Sequence, residues 1–262
     1  MNIFRSATLT VAAGLACVSF LTQSIVAQST PGQAATLHVF ASNGMRAVVE
    51  QLQPECQRTI GHPLAIEYGS TAGLMQKIES GAPFDVAILT SDAIATLVKE
   101  NKLDAGTRAD LARSGIGVGI RKGSPKPDIA TAEGFKKTLL AAKSITYARD
   151  GASAVYLVKI YDRLGITNDV KPKLILTEGS GPATAKVAAG EASLVLTLIS
   201  EIMPEKGDEV AGPLPAELQS YINFAIGAGA KTSNAEAARA MIALLKGPGA
   251  APVYKAKGME QR

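Results

Sequence analysis

Residues 86–92 read Val86-Ala87-Ile88-Leu89-Thr90-Ser91-Asp92. Four apolar residues in a row leave no polar face to turn toward water, so a strand made from them is buried on both sides. Ser91 and Asp92 then offer caps for a helix running to Glu100. Strand, small polar turn and capped helix form the unit of a parallel sheet covered on both faces. Working outward, the unit recurs. Strands are expected at 36–41 and 64–68, with helices at 47–60, capped by Ser42 or Asn43, and at 74–80. Downstream, strands are expected at 116–121, 144–148, 174–177, 194–197 and 221–226. Helices are expected at 134–142, 153–164 and 184–189. Ser233-Asn234-Ala235-Glu236 reads as a capping box opening a helix to Leu245, broken by Gly247-Pro248-Gly249 and followed by a short helix over 251–257.

The 262 residues allow one large domain or two small ones. A 47% hydrophobic content supplies a core and excludes a disordered chain. Lys and Arg number 27 against 23 Asp and Glu, without a run of one sign, so no nucleic-acid partner is expected. The mild excess of positive charge suits a small anionic ligand. Cys17 and Cys56 are the only cysteines, and His38 and His62 the only histidines. Such a set excludes a Cys-ligated iron–sulfur cluster and speaks against a zinc site, so no metal is expected.

The first residues read as a leader. Met1 to Arg5 carries one positive charge, residues 6–20 are apolar and small, and Ala27 offers a cleavage point, so residues 1–27 are expected to be a secretory signal peptide. Leu15-Ala16-Cys17 is a partial lipobox with Gly14 where a larger aliphatic residue is preferred. The apolar run is too short and too interrupted for a membrane anchor, and the expected compartment is the periplasm.

In open α/β sheets, ligands bind beyond the carboxyl ends of the strands. The loops there are Ser42-Asn43-Gly44, Gly69-Ser70-Thr71, Asp150-Gly151-Ala152-Ser153 and Gly179-Ser180-Gly181. Singly, each reads as an ordinary turn and helix cap. Together, they offer hydroxyls, helix N-termini and close backbone approach, the ingredients of an anion cradle. Two other glycine-rich stretches carry less. Residues 179–184 lack the third glycine of a dinucleotide fingerprint, and residues 227–232 place Ala230 where a phosphate loop needs Gly before Lys231.

Several segments carry a resemblance. Tyr68-Gly69-Ser70-Thr71, then Gln76-Lys77-Ile78-Glu79-Ser80-Gly81-Ala82-Pro83-Phe84-Asp85-Val86, then Arg163-Leu164-Gly165, Pro172-Lys173-Leu174 and Leu245-Lys246-Gly247-Pro248 resemble, in the same order, the periplasmic molybdate-binding protein family. The resemblance implies a type II periplasmic binding-protein fold: two α/β lobes, a two-strand hinge and an interlobe ligand cleft. It places the hinge crossings near Ile120 and Tyr221, with lobe one at 34–119 plus 223–262 and lobe two at 120–222. It implies capture of an oxyanion for an ABC importer, with an ABC permease as partner.

The ligand shell departs from that pattern. The family's first serine position falls on Gly44, its second on Thr71, and its tyrosine on Leu198. Backbone donors near Ser153 and Ser180 would persist. Arg46, after the first loop, and Arg149 suit carboxylates through their forked guanidinium groups, or else are solvated surface charges. With Ser42, Asn43 and Ser70, these residues make up the expected binding set, for a planar, multiply charged ligand such as a tricarboxylate. The whole chain also resembles an isomerase on this scaffold, which implies a cofactor-free shift of a carbon–carbon double bond. Asp150 is then the first candidate for the acid/base group and Glu178 the second, although Asp150 also reads as a helix cap and Glu178 matches an acid in the binding proteins. The second expected function is a transport receptor for a molybdate-like oxyanion or a polycarboxylate.

Overall fold

The computed structural model describes residues 35–262. The expected signal peptide lies outside them. The strands are β1 (Leu37–Ser42), β2 (Leu64–Gly69), β3 (Val86–Thr90), β4 (Ala109–Arg121), β5 (Ile145–Ala148), β6 (Leu174–Thr177), β7 (Leu194–Leu198), β8 (Asp208–Pro213), β9 (Tyr221–Ala228) and β10 (Glu260–Gln261). The helices are α1 (Arg46–Ile60), α2 (Thr71–Glu79), α3 (Ser91–Lys99), α4 (Ala132–Ala141), α5 (Ala154–Leu164), α6 (Thr167–Val170), α7 (Ser180–Ala188), α8 (Ile199–Ile202), α9 (Ala235–Lys246) and α10 (Ala251–Ala256).

The strands run in the order β2-β1-β3-β9-β4-β7-β5-β6, with β8 and β10 pairing on β4. The opening segment behaves as its composition dictates. Val86 and Ile88 join one core cluster, Ala87 and Leu89 another, so β3 is buried on both faces. Within each half, β1, β2 and β3 are parallel, as are β5, β6 and β7. The expectation of a parallel sheet needs one correction, because β9 runs antiparallel to β3, and β4 antiparallel to both β9 and β7. β4 joins the halves: it pairs with β9 as far as Gly115 and with β7 from Ile116 onward.

Other expectations shift. β4 is thirteen residues long, and its first seven, with Asp110 and Arg113 among them, lacked an apolar run. β8 and β10 were not expected at all. α1 is preceded by a 3-10 turn over Asn43–Met45, and neither Ser42 nor Asn43 caps it through its side chain. Thr90, not Ser91 or Asp92, stands at the N-cap of α3. The Ser233–Glu236 capping box does not form. Asn234 is the N-cap without a side-chain cap bond, and its amide donates instead to Asp85 Oδ1 at 3.2 Å.

That bond gives Asp85, within the quoted run ending in Val86, a structural part. This buried carboxylate also accepts from the His38 amide at 2.7 Å and from the Thr232 hydroxyl. Its own main chain bonds His38 and Gly229. One side chain therefore ties β1, β3 and the turn after β9 together.

Candidate functional site

The carboxyl ends of β1, β2, β3, β5, β6 and β7 open onto two cavities, each lined from both halves of the sheet. The larger, about 490 Å³, lies between Thr71, Thr90, Ser91 and Asp92 on one side and Arg149, Asp150 and Tyr156 on the other, with Asn223 of β9 behind. The smaller, about 370 Å³, is lined by Asn43, Arg46, Glu50 and Tyr68 from one half and Glu178, Ser180 and Glu201 from the other.

The structure thus brings Thr71, Arg149 and Asp150 to one cavity and Asn43, Arg46, Glu178 and Ser180 to the other. Ser42, Gly44, Ser70 and Ser153 lie in the same loops but off both walls. Ser42 is buried, and its hydroxyl accepts from Thr71 at 3.3 Å. Ser70 caps α2 by accepting from the Gly73 amide at 3.1 Å. Ser153 is buried at the start of α5 without a cap bond through its side chain.

The candidate acids differ in setting. Asp150 Oδ1 accepts from the Gly179 amide at 3.0 Å, which binds the loop after β5 to the loop after β6. One N–H of the expected anion cradle is therefore already engaged. Glu178 pairs with Arg149 Nε at 3.0 Å, and both side chains are more than half exposed. Solvent screening makes such a pair weak, so Arg149 can exchange it for a bound carboxylate at small cost. The Arg46 guanidinium carbon sits over the Tyr68 ring, 4.1 Å from its centroid, and the group reaches Glu50 at 3.4 Å. The stack fixes its guanidinium at the cavity wall.

Gly44 and Leu198 explain each other. A side chain at Gly44 would place its Cβ 2.5 Å from Phe224 Cζ and 3.0 Å from Leu198 Cδ1. The space below the first loop is filled with hydrocarbon, and a serine there has no room. Gly44 and Leu198, on which the resemblance places the molybdate family's first serine and its tyrosine, approach each other from the two halves.

The sequence reading missed Glu201. It follows a largely apolar strand, Leu194–Leu198, with only Thr197 and Ser200 as nearby polar residues, and nothing in that pattern marks a site. In the fold, its Oε2 accepts from the Thr197 hydroxyl and, at 3.4 Å, from the Leu198 amide. Its Oε1 accepts from Ser180 Oγ at 2.9 Å. Burial pushes this carboxyl above the usual range, outweighing its three donors, and Asp150 adds to the shift. The reading also missed Ser91, whose buried hydroxyl has no hydrogen-bond partner among the described residues, as is true of the Tyr68 hydroxyl. Among the described residues, no cluster of side chains suits a metal ion, and no helix is long and apolar enough to cross a membrane.

Comparison with known proteins agrees with this geometry. The family model described as bacterial extracellular solute-binding protein matches residues 37–260. An aconitate isomerase from Pseudomonas sp is 30% identical over 90% of this chain and 94% of its own length. The molybdate-binding protein ModA of Azotobacter vinelandii is 29% identical over 86% of this chain and 90% of its own. A solved structure of the periplasmic molybdate-binding protein from Azotobacter vinelandii superposes with a TM-score of 0.70 at 20% identity, covering 85% of this chain and 98% of that one. The architecture is that of the type II periplasmic binding proteins.

Proposed function

The chain belongs to the bacterial extracellular solute-binding protein family, and within it we propose that this member is an aconitate isomerase. It would interconvert trans- and cis-aconitate in the cleft, in the periplasm, after export by its leader. The observation that carries this reading is the Gly44–Leu198 contact. It puts hydrocarbon where the molybdate pattern supplies a serine and a tyrosine. Losing buried donors from an oxyanion site costs about 1–3 kcal/mol each, which speaks against a molybdate specialist. The isomerase relative, 30% identical along nearly the whole chain, supports the same reading.

The chemistry asks for three things. A base removes a proton from the carbon beside the double bond. The resulting carbanion is delocalised into a carboxylate, where forked cations and N–H groups stabilise the added charge. An acid returns a proton to the other end of the three-carbon unit. Arg46 and Arg149 are assigned to the substrate's carboxylates, with Asn43 and Ser180 as uncharged donors and Thr71, whose hydroxyl hydrogen is given to Ser42, as a polar part of the wall. Ser42, Gly44, Ser70 and Ser153 shape the loops behind them. Asp150 is the first candidate for the proton-transfer group and Glu178 the second. A placed acid/base group contributes about 10²–10⁴-fold to the rate. The reaction as written needs no cofactor.

A second reading, a receptor that delivers an oxyanion or polycarboxylate to an ABC permease, is favoured by the ModA relatives. One experiment separates the two. The purified mature chain is incubated with trans-aconitate and the cis isomer is followed by chromatography. Turnover establishes the isomerase. No turnover, with tight binding of molybdate or a carboxylate by calorimetry, returns the protein to the receptors.

A further inference from the structure

Ser180 and Glu201 raise a question of hydrogen-bond direction that the anion-binding reading leaves open. A hydroxyl has one hydrogen to give. In the structure Ser180 gives it to Glu201 Oε1, and the resulting pair lines the smaller cavity. In that state Ser180 has only lone pairs to turn toward a ligand, and an anion meets an acceptor beside a carboxylate. We propose that Ser180 donates to a bound anion only when Glu201 carries a proton, so that anion binding in the smaller cavity takes up a proton from solvent.

The geometry specifies where that proton goes. Oε2 is already held by two donors, the Thr197 hydroxyl and the Leu198 amide. Oε1 faces Ser180 alone among the described residues. A proton on Oε1 therefore reverses one bond: Glu201 donates to Ser180 Oγ, and the serine hydrogen is released toward the cavity. No covalent bond other than the O–H changes. Burial already favours the protonated carboxyl. The charged and titratable groups around the cavity are Arg46 and Glu50 of α1, Tyr68 of β2, Glu178 before α7 and Glu205 after α8. The charge of Asp150, in the loop after β5, also favours the protonated form of Glu201. Arg46 is engaged with Glu50 and Tyr68 and forms no ion pair with Glu201. Neither histidine lines this cavity.

The inference rests on anion binding in the cleft, not on turnover. Its test is calorimetry on the mature chain with trans-aconitate and, separately, molybdate. Titrations run from about pH 7 to about pH 8.5, above the ligands' own ionisations, in buffers of different ionisation enthalpy, which report the protons exchanged. Affinity is expected to fall by up to about tenfold per pH unit above the Glu201 midpoint, with up to one proton taken up per anion. Glu201→Gln keeps a donor facing Ser180 and is expected to bind with a flat pH profile. Ser180→Ala binds more weakly and is also flat. Asp208→Asn, which removes a carboxyl raised toward neutrality on β8, keeps the wild-type slope. Equal slopes in wild type and Glu201→Gln, or no proton exchange in any buffer, overturn the proposal while leaving the anion site standing. Failure to bind either probe overturns both.

Discussion

Asp85 and Asp208 are equally buried, each 7% exposed, yet they live in opposite circumstances. Asp85, in the first half of the sheet, accepts from a main-chain amide, a hydroxyl and a side-chain amide. Asp208, at the start of β8 in the second half, has no hydrogen-bond partner for either oxygen among the described residues. Its register partner, Arg121, lays its guanidinium against Gly190 instead. Burial lifts the Asp208 carboxyl to about 7, helped by the charge of Glu205. Burial alone therefore does not decide what a carboxyl does. With donors it holds strands together; without them it retains its proton at the expense of stability.

Four substitutions test this contrast. Asp85→Ala strands three donors at once and should lower unfolding free energy by about 3 kcal/mol, read by denaturant titration. A loss under about 1 kcal/mol would mean that the clamp contributes little. For Asp208 the sign is opposite. Its folded midpoint is about 7 against 3.8, so the folded chain binds more protons between those values. Stability then falls as pH rises through that window and stays low above it. The ceiling is about 4 kcal/mol, and Asn brings an orphaned amide to the same dry place. Asp208→Asn should therefore stabilise by about 2 kcal/mol at about pH 8 and by almost nothing near pH 4. Equal effects at both pH values would remove titration from the account. Thr232→Val deletes one of the three Asp85 donors, and thermal unfolding should report about 1 kcal/mol lost. Smallest of all in stability is Arg149→Ala, since its partner Glu178 is exposed, with under about 0.5 kcal/mol expected. The same variant should weaken polycarboxylate binding by more than about 1 kcal/mol if the ligand engages that guanidinium. Unchanged affinity in a titration would take Arg149 out of the binding set.

The contrast also shows what a sequence discloses. β3 and β6 were legible because their short apolar runs match their burial or pairing, and the boundaries of β6 coincide with those expected. The 109–115 part of β4 was not, because Asp110, Arg113 and Gly115 break the pattern and the strand exists only through pairing with β9 and β10. β8 carries two acids, a glycine and a proline, and pairs on β4 alone. α7 begins at Ser180, although Gly181-Pro182 reads as a turn; a proline in the first turn forfeits an amide that has no helical partner anyway. In the candidate site, the small polar loops could be located from their positions after strands. Which side chains face the cavities could not, because Ser42 and Ser153 turn inward while Arg46 lies on Tyr68. Glu201 was invisible since its significance comes from Ser180, twenty-one residues earlier in the chain.

The Gly44–Leu198 contact bears on how such a chain changes over evolutionary time. A serine restored at Gly44 alone meets the Phe224 ring and Leu198. A tyrosine restored at Leu198 alone enlarges the side chain that already occupies that space. Each single substitution of this kind is thus penalised while its neighbours remain, and Phe224 must yield as well. The three positions form one packed unit behind the first loop, so that reaching a serine and a tyrosine there takes coordinated change at Gly44, Leu198 and Phe224 rather than a single substitution.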